Sequence, residues 1–371
     1  MHSKKHRSAV ALAALASLWA GGVAAQAEPA EPARAWAFSA RSVHHGEAVP
    51  LAAIDDEDQA LARLDPRSGR NIAYVDDEAR LSLAAGAWTW SLLARSSALL
   101  VTDESTLELV RQVTSDVMSA SDRRWSARVR YESFQGGGLE AGYRFAPAAQ
   151  WQAGVAAQLL QLRHWRRRTL DGQVQFESAS STYAFDLKST QADDRLRFPF
   201  QGSTGDSGAG LLLAADAAWR NERWAASLGV RDLGWLRWSR LPQQLATLST
   251  QTQSYDADGF VIYKPLVEGR NRQQGYTHRL PGWWTARASW RAANAGEFEL
   301  SSDWVQDFGA LPAVAWRQRF ADVDLGLHWR FHERRAGVAL GWRGWQLRAG
   351  VDRFGSQQRS RELAVGGSWT F

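Results

Sequence analysis

Gly205-Asp206-Ser207-Gly208 sets a serine in the kind of turn that can present a nucleophile. A nucleophilic serine needs a histidine base and a carboxylate to orient it. The histidines are His2, His6, His44, His45, His164, His278, His328 and His332, and none lies in a segment recognisable as that base. The string reads as an ordinary Gly/Ser/Asp loop. His44-His45 has no metal-ligand spacing. Asp55-Asp56-Glu57-Asp58 lacks the alternating oxygens and central glycine of a calcium loop. The sequence therefore assigns no catalytic residue, no cofactor and no metal. The basic run from Arg163 through Arg166, Arg167 and Arg168 is more informative. Guanidinium groups bind phosphate bidentately, so these four are expected contacts for lipopolysaccharide if they reach an outer surface.

The elements that would carry such residues begin with an export signal. Lys4, Lys5 and Arg7 precede an apolar run from Ala9 to Ala20, then small residues that allow cleavage after Ala25 or Ala27. The run is shorter than the roughly 20 residues a membrane helix needs. Residues 1–27 are read as a signal peptide, 28–78 as an irregular acidic N-terminal segment and 79–371 as the folded domain. With the signal gone, Lys4, Lys5 and Arg7 leave the 44 basic residues, so 41 face 39 acidic ones. That near-balance and the export signal argue against a nucleic-acid partner. The absence of Cys excludes disulfides and a lipid-anchored N-terminus.

The chain carries 20 Trp and a negative mean hydropathy of −0.38. No stretch after the signal is apolar enough for a spanning helix. Its second half alternates instead: Val323, Leu325, Leu327, Trp329 and Phe331 against Asp324, Gly326, His328 and Arg330. Ala336–Trp342, Trp345–Val351 and Leu363–Phe371 repeat the pattern. A period of two puts successive side chains on opposite faces of a strand. One face is apolar and the other small or charged, which suits a wall between lipid and a wet lumen. Trp329, Phe331, Trp342, Trp345, Trp369 and Phe371 fall at strand ends, where interfacial aromatics belong. The last strand, ending at Phe371, is expected to be the segment that outer-membrane insertion machinery recognises. Fifteen candidate strands are found, among them Trp125–Phe134, Leu139–Phe145 and Gln173–Leu187. Since closed bacterial barrels use even numbers, the fold expected is an all-β, single antiparallel transmembrane barrel of about 14 strands, within 12–16. Gly136-Gly137-Gly138, Asp171-Gly172, Asn221-Glu222, Ala321-Asp322 and Arg343-Gly344 are read as tight turns. Residues 103–120 read as a short helix capped by Thr102 or Asp103, either a lumen plug or part of a long outer loop.

Ser227-Leu228-Gly229-Val230-Arg231-Asp232-Leu233-Gly234-Trp235-Leu236-Arg237-Trp238 resembles a segment of FadL-like outer-membrane proteins in which a strand ends in an Asp-Leu-Gly-aromatic turn. The resemblance implies an outer-membrane location and hydrophobic substrates that leave sideways through the barrel wall. It also implies an N-terminal hatch with Asn-Pro-Ala, which this sequence lacks, so no transport residues are carried over. Three functions are expected in order: a barrel binding or moving a hydrophobic or small solute, a non-catalytic component of an envelope or secretion complex, and a lipid-modifying enzyme. For the last, His328 and His332 flank the strand end at Phe331, with no motif serine beside them.

Overall fold

The computed structural model describes residues 34–53, 60, 62–114, 119–199, 201–202, 207–255, 258, 260–293 and 295–370. The signal peptide, the Asp55–Asp58 run, Gly205, Asp206 and Phe371 lie outside the described residues. The strands are β1 (Ala35–Gly46), β2 (Arg70–Ala85), β3 (Trp88–Asp103), β4 (Arg123–Ala148), β5 (Trp151–Glu177), β6 (Thr182–Asp193), β7 (Gly208–Arg220), β8 (Trp224–Ser249), β9 (Gln253–Tyr255), β10 (Val261–Tyr263), β11 (Val267–Ala292), β12 (Gly296–Val305), β13 (Gly309–Phe320), β14 (Val323–Arg330), β15 (Arg335–Trp342), β16 (Trp345–Val351) and β17 (Ser360–Thr370). Among the described residues the longest helix, α1, spans Glu104–Thr114, and Leu51–Ala53 form a short 3-10 turn.

β9 and β10 form a small ribbon of their own. The other strands pair antiparallel in one ring, closed by β1 with β17 and by β8 with β11. β6 and β7 share one position between β5 and β8, so the barrel is 14-stranded. Closure leaves no long free edge for another chain to pair with. Strand ends alternate between short turns and longer loops. At the turn end, Arg343 (φ 45°) and Gly344 (φ 82°) join β15 to β16 with both central residues left-handed. That conformation matches the twist of the flanking strands. Asn221 and Ala321 sit in the corresponding β7–β8 and β13–β14 turns.

Alternation sorts the side chains. Leu92, Leu139, Leu159, Leu300 and Leu327 are exposed on the outer wall. Trp284, Trp304 and Trp329 form a belt toward the loop end, and Trp290, Phe298, Trp342, Trp345 and Trp369 one at the turn end. Trp284 and Trp290 are six residues apart on β11, about 20 Å at ~3.3 Å per residue. Aromatic girdles around an apolar band mark an outer-membrane-type barrel.

Several sequence expectations change. The 28–78 segment is not irregular throughout: β1 and the start of β2 are barrel strands, and residues 47–69 connect them. Gly136-Gly137-Gly138 lies inside β4, and Asp171-Gly172 inside β5. The β5–β6 turn is at residues 178–181, so Gln173–Leu187 is two strands. A Cβ on Gly138 would run into the Leu159 carbonyl, so glycine here permits close strand approach rather than reversal. Ser227–Trp238 is likewise interior to β8: Asp232, at φ 63°, sits at a bulge against β7 and not at a strand end.

α1 is not a lumen plug. Asp103 Oδ1 accepts from the Thr106 amide at 2.7 Å, capping the first turn. Where β3 stops, the edge of β4 would be bare. The Ser126 amide donates to Ser105 Oγ at 2.9 Å, and the Arg128 amide to Thr106 Oγ1 at 2.7 Å, so the helix start covers that edge. Leu109 packs on Trp125, Val174 and Phe176.

Candidate functional site

The ring is interrupted at one place. β5 pairs with β7 from Trp151 to Leu162 and with β6 from Arg166 to Glu177. β8 pairs with β7 up to Trp238 and with β6 from Gln243 onward. Between them, residues 194–199, 201–202 and 207 belong to neither strand. Residues 163–165 of β5 and 239–242 of β8 thus face each other without an intervening strand. Two strand spacings separate them, about 10 Å. Asp194 partly closes the upper lip: its Oδ1 accepts from the Trp165 amide at 3.1 Å.

Behind this break the lumen is apolar. Leu162, Trp165, Leu212, Leu236, Trp238 and Leu241 are essentially buried in one cluster. Inward-facing positions of a wet barrel are ordinarily polar, so this patch stands apart. Toward the loop end it borders a cavity of about 530 Å³ lined by Arg130, Arg167, Leu233, His278, Leu280 and Asp307. Tyr276 packs against the cluster and accepts at its hydroxyl from Arg167 Nη1 at 3.2 Å.

On β4, β5 and β8 the turn-end side of the cluster is a charged net. Arg95 of β3 reaches across the lumen to Asp232 of β8, with Nη1 donating to Oδ1 at 2.6 Å and Nη2 to Oδ2 at 3.1 Å. Its Nε lies 3.3 Å from Glu78. Arg231 and Arg41 hold Asp76 at 2.9 and 2.7 Å. Arg80 bridges Glu78 and Glu140, and Gln158 Nε2 donates to Glu140 at 2.7 Å. Burying these charges is tolerable because each is paired; removing one partner would strand the rest. The net ties β1–β5 to β8 across the lumen.

Outside, a wall groove of about 830 Å³ starts at the break beside Arg163 and Ala209 and runs past Leu159, Leu139, Leu92 and Leu81. The four arginines read from the sequence do not stand together at a hairpin tip. Arg166 and Arg168 clasp Asp193 at 2.7 and 3.2 Å. Arg167 lines the inner cavity, and Arg163 is exposed at the bulge where the break begins. Of the six aromatics, Trp329 and Phe331 are exposed near the loop end, and Trp342, Trp345 and Trp369 near the turn end.

The histidines considered for wall catalysis are engaged elsewhere. His328 lies 3.5 Å from Glu362 and His332 3.0 Å from Glu47. A Ser–His–carboxylate set does occur on the wall at Ser42, His44 and Asp77. Both Ser42 (3.4 Å) and Asp77 (3.0 Å) approach His44 Nε2, however, while Arg361 lies 3.0 Å from Nδ1. A relay needs serine and carboxylate on opposite ring nitrogens. At the loop-end mouth, burial pushes Glu47 and Glu333 upward. His332, the Ile72 amide and Arg67 nevertheless hold Glu47 below the usual carboxylate range. Arg330 and Arg335 hold Glu333 down as well, at about 2.

Sequence reasoning missed Asp76, Glu78, Arg95 and Asp232. Asp76 and Glu78 do alternate with Tyr74 and Arg80 along β2, and that alternation is the one signal of an inward face.

No family model and no curated protein matches the sequence. Among solved structures the barrel is similar to a deletion mutant of the TodX monoaromatic hydrocarbon channel, at 8% identity and TM-score 0.42, over 92% of this chain and 91% of that one. It is similar to the Ralstonia pickettii toluene transporter TbuX at 8% identity and TM-score 0.33, over 92% and 90%. A Pseudomonas aeruginosa FadL homologue overlaps at 9% identity and TM-score 0.25, over 91% and 88%. The likeness to FadL-type barrels is weak. The barrel's own residues must carry any functional reading.

Proposed function

We infer that this protein passes a hydrophobic solute from the loop-end cavity, through the apolar cluster, and out sideways at the wall break into the outer leaflet of a Gram-negative outer membrane. The carrying observation is the coincidence of three features at one level of the barrel. These are a missing stretch of strand, an apolar lumen patch directly behind it, and a charged net that blocks the straight path. An apolar solute leaving by the net would have to enter a layer of buried ion pairs. Leaving by the break, it meets Trp165, Trp238 and Leu241, then the outer wall groove that runs past Leu159, Leu139 and Leu92 down into the lipid band. Simple aqueous diffusion of a small polar solute would have to pass through the paired side chains of this net, which favours the hydrophobic reading. Arg163, exposed at the outer lip, and Arg166 and Arg168 beside it are proposed to meet lipopolysaccharide phosphate there. The strand ending with Trp369 and Phe371 is proposed to engage the insertion machinery.

The chain has no Cys, so a cross-link can be placed cleanly. Arg163→Cys and Arg240→Cys put thiols on the two lips of the break. A bifunctional reagent of about 10 Å, matching two strand spacings, is expected to stop uptake of an apolar solute into proteoliposomes. Each single variant treated alike should retain it. Undiminished uptake by the cross-linked pair would reject the sideways route.

A further inference from the structure

At the loop-end mouth three potential ligands converge from distant parts of the chain. His45 is the last residue but one of β1, Glu47 lies just past the strand, and His332 lies in the β14–β15 turn; one ligand atom from each lies within 4.8 Å of the others. Around the barrel, β15, β16 and β17 separate β14 from β1. We propose that His45, Glu47 and His332 bind a divalent cation of the Zn²⁺ type, which clasps the mouth across those strands. Such a clasp is independent of the transport route.

Three observations carry it. First, His45 is 1% exposed, yet neither of its ring nitrogens has a hydrogen-bond partner among the described residues. A buried imidazole without a partner is costly to keep, and a cation offers what the protein groups do not. Its ring stands edge-on to that of His332, with centroids 6.1 Å apart, and is backed by Tyr74 at 5.5 Å. Second, Glu47 is already fixed in place. Its Oε2 accepts from the Ile72 amide at 2.9 Å, and its Oε1 accepts from Arg67 Nη1 at 2.7 Å, 3.0 Å from His332 Nε2. A carboxylate has about four acceptor sites, so these bonds act as orienting contacts around a ligand and leave room for a cation. Arg67 Nη1 also donates to the His332 carbonyl at 2.8 Å, which fixes the turn that carries the third ligand. Third, the His332 side chain is 22% exposed, so the site can be reached from the mouth. Two imidazoles and one carboxylate with a fourth position open form a common zinc arrangement, and imidazole donors favour zinc, copper or nickel over magnesium or calcium.

The test uses the full-length protein in detergent, stripped with a chelator and titrated with Zn²⁺ in competition with a chromophoric chelator. One Zn²⁺ per chain is expected. His45→Asn, Glu47→Gln and His332→Asn should each weaken it at least tenfold, while His44→Asn, on the outer wall, should leave it unchanged. Substoichiometric binding, or full affinity retained in all three ligand variants, would overturn the proposal. A measurement on the unaltered protein guards against variants that fail to fold. Zn²⁺ should slow modification of His332 by diethyl pyrocarbonate at least tenfold and leave that of His164 unchanged. Equal rates at His332 with and without Zn²⁺ would also overturn it.

Discussion

The barrel has a tall side and a short side, and they are built on different terms. β14, β15 and β16 have 8, 8 and 7 residues, close to the roughly 9–11 that cross a bilayer. β4, β5, β8 and β11 have 26 or 27. The excess, about 15 residues or 50 Å at ~3.3 Å per residue, stands beyond the membrane band as an outer wall. The short side is a plain lipid–lumen partition. The tall side holds the interrupted strand, the apolar cluster, the cavity and α1. Regularity belongs to the part that only has to span, and irregularity to the part proposed to handle a solute.

The largest effect expected comes from the net that crosses the lumen from β1–β5 to β8 on the tall side. Arg95→Ala leaves the buried Asp232 and Asp76 and the half-buried Glu78 with one fewer partner, and breaking a buried pair in this way costs about 3–5 kcal/mol. A lower urea midpoint for unfolding and the appearance of single-channel conductance are expected. A midpoint and a conductance both unchanged would mean that the net neither braces nor closes the barrel.

Next is a contrast between the sides themselves. Leu327→Arg on β14 puts a charge in the middle of the lipid band, at a cost of about 2–4 kcal/mol. Val267→Arg on β11, exposed and beyond the band on the tall wall, should change stability by no more than about 0.5 kcal/mol, as a surface substitution does. Equal costs in lipid-vesicle folding titrations would erase the distinction between a spanning and a standing wall. Smallest is the cap of α1. Asp103→Ala removes the acceptor for the Thr106 amide and should cost about 1 kcal/mol. Faster proteolysis within residues 104–122, with the barrel otherwise intact, is the expected readout.

The same contrast explains what can be read from the sequence. Val323–Phe331 alternates cleanly because every residue on β14 faces either lipid or lumen. Beyond the band that constraint lapses. Trp125, Val174 and Phe176 form a satellite core under Leu109, and β4 and β5 blur into several apparent strands. The expected count of about 14 agrees with the barrel although it omits β1 and divides β4 in two, errors that offset each other. Gly136–Gly138 resembles a turn because glycine serves both reversal and close strand approach, and only the Leu159 carbonyl decides between them. The charged net and the mouth cluster are not legible in the sequence. Arg95 meets Asp232, and His45 meets His332, only through closure of the ring. Spacing rules read neighbours along the chain and cannot see across a lumen. The wall break is equally hidden, since β6 and β7 come to share one wall position only when β5 and β8 flank them both.

The sideways route is tested most directly by mending the wall. Replacing residues 194–207 with three strand-forming residues would carry Asp193 straight on to Gly208, opposite residues 163–165 of β5. The mended protein is expected to fold as a heat-modifiable barrel and to lose uptake of a radiolabelled apolar solute into proteoliposomes. Uptake at the unaltered rate through a mended wall would contradict the account.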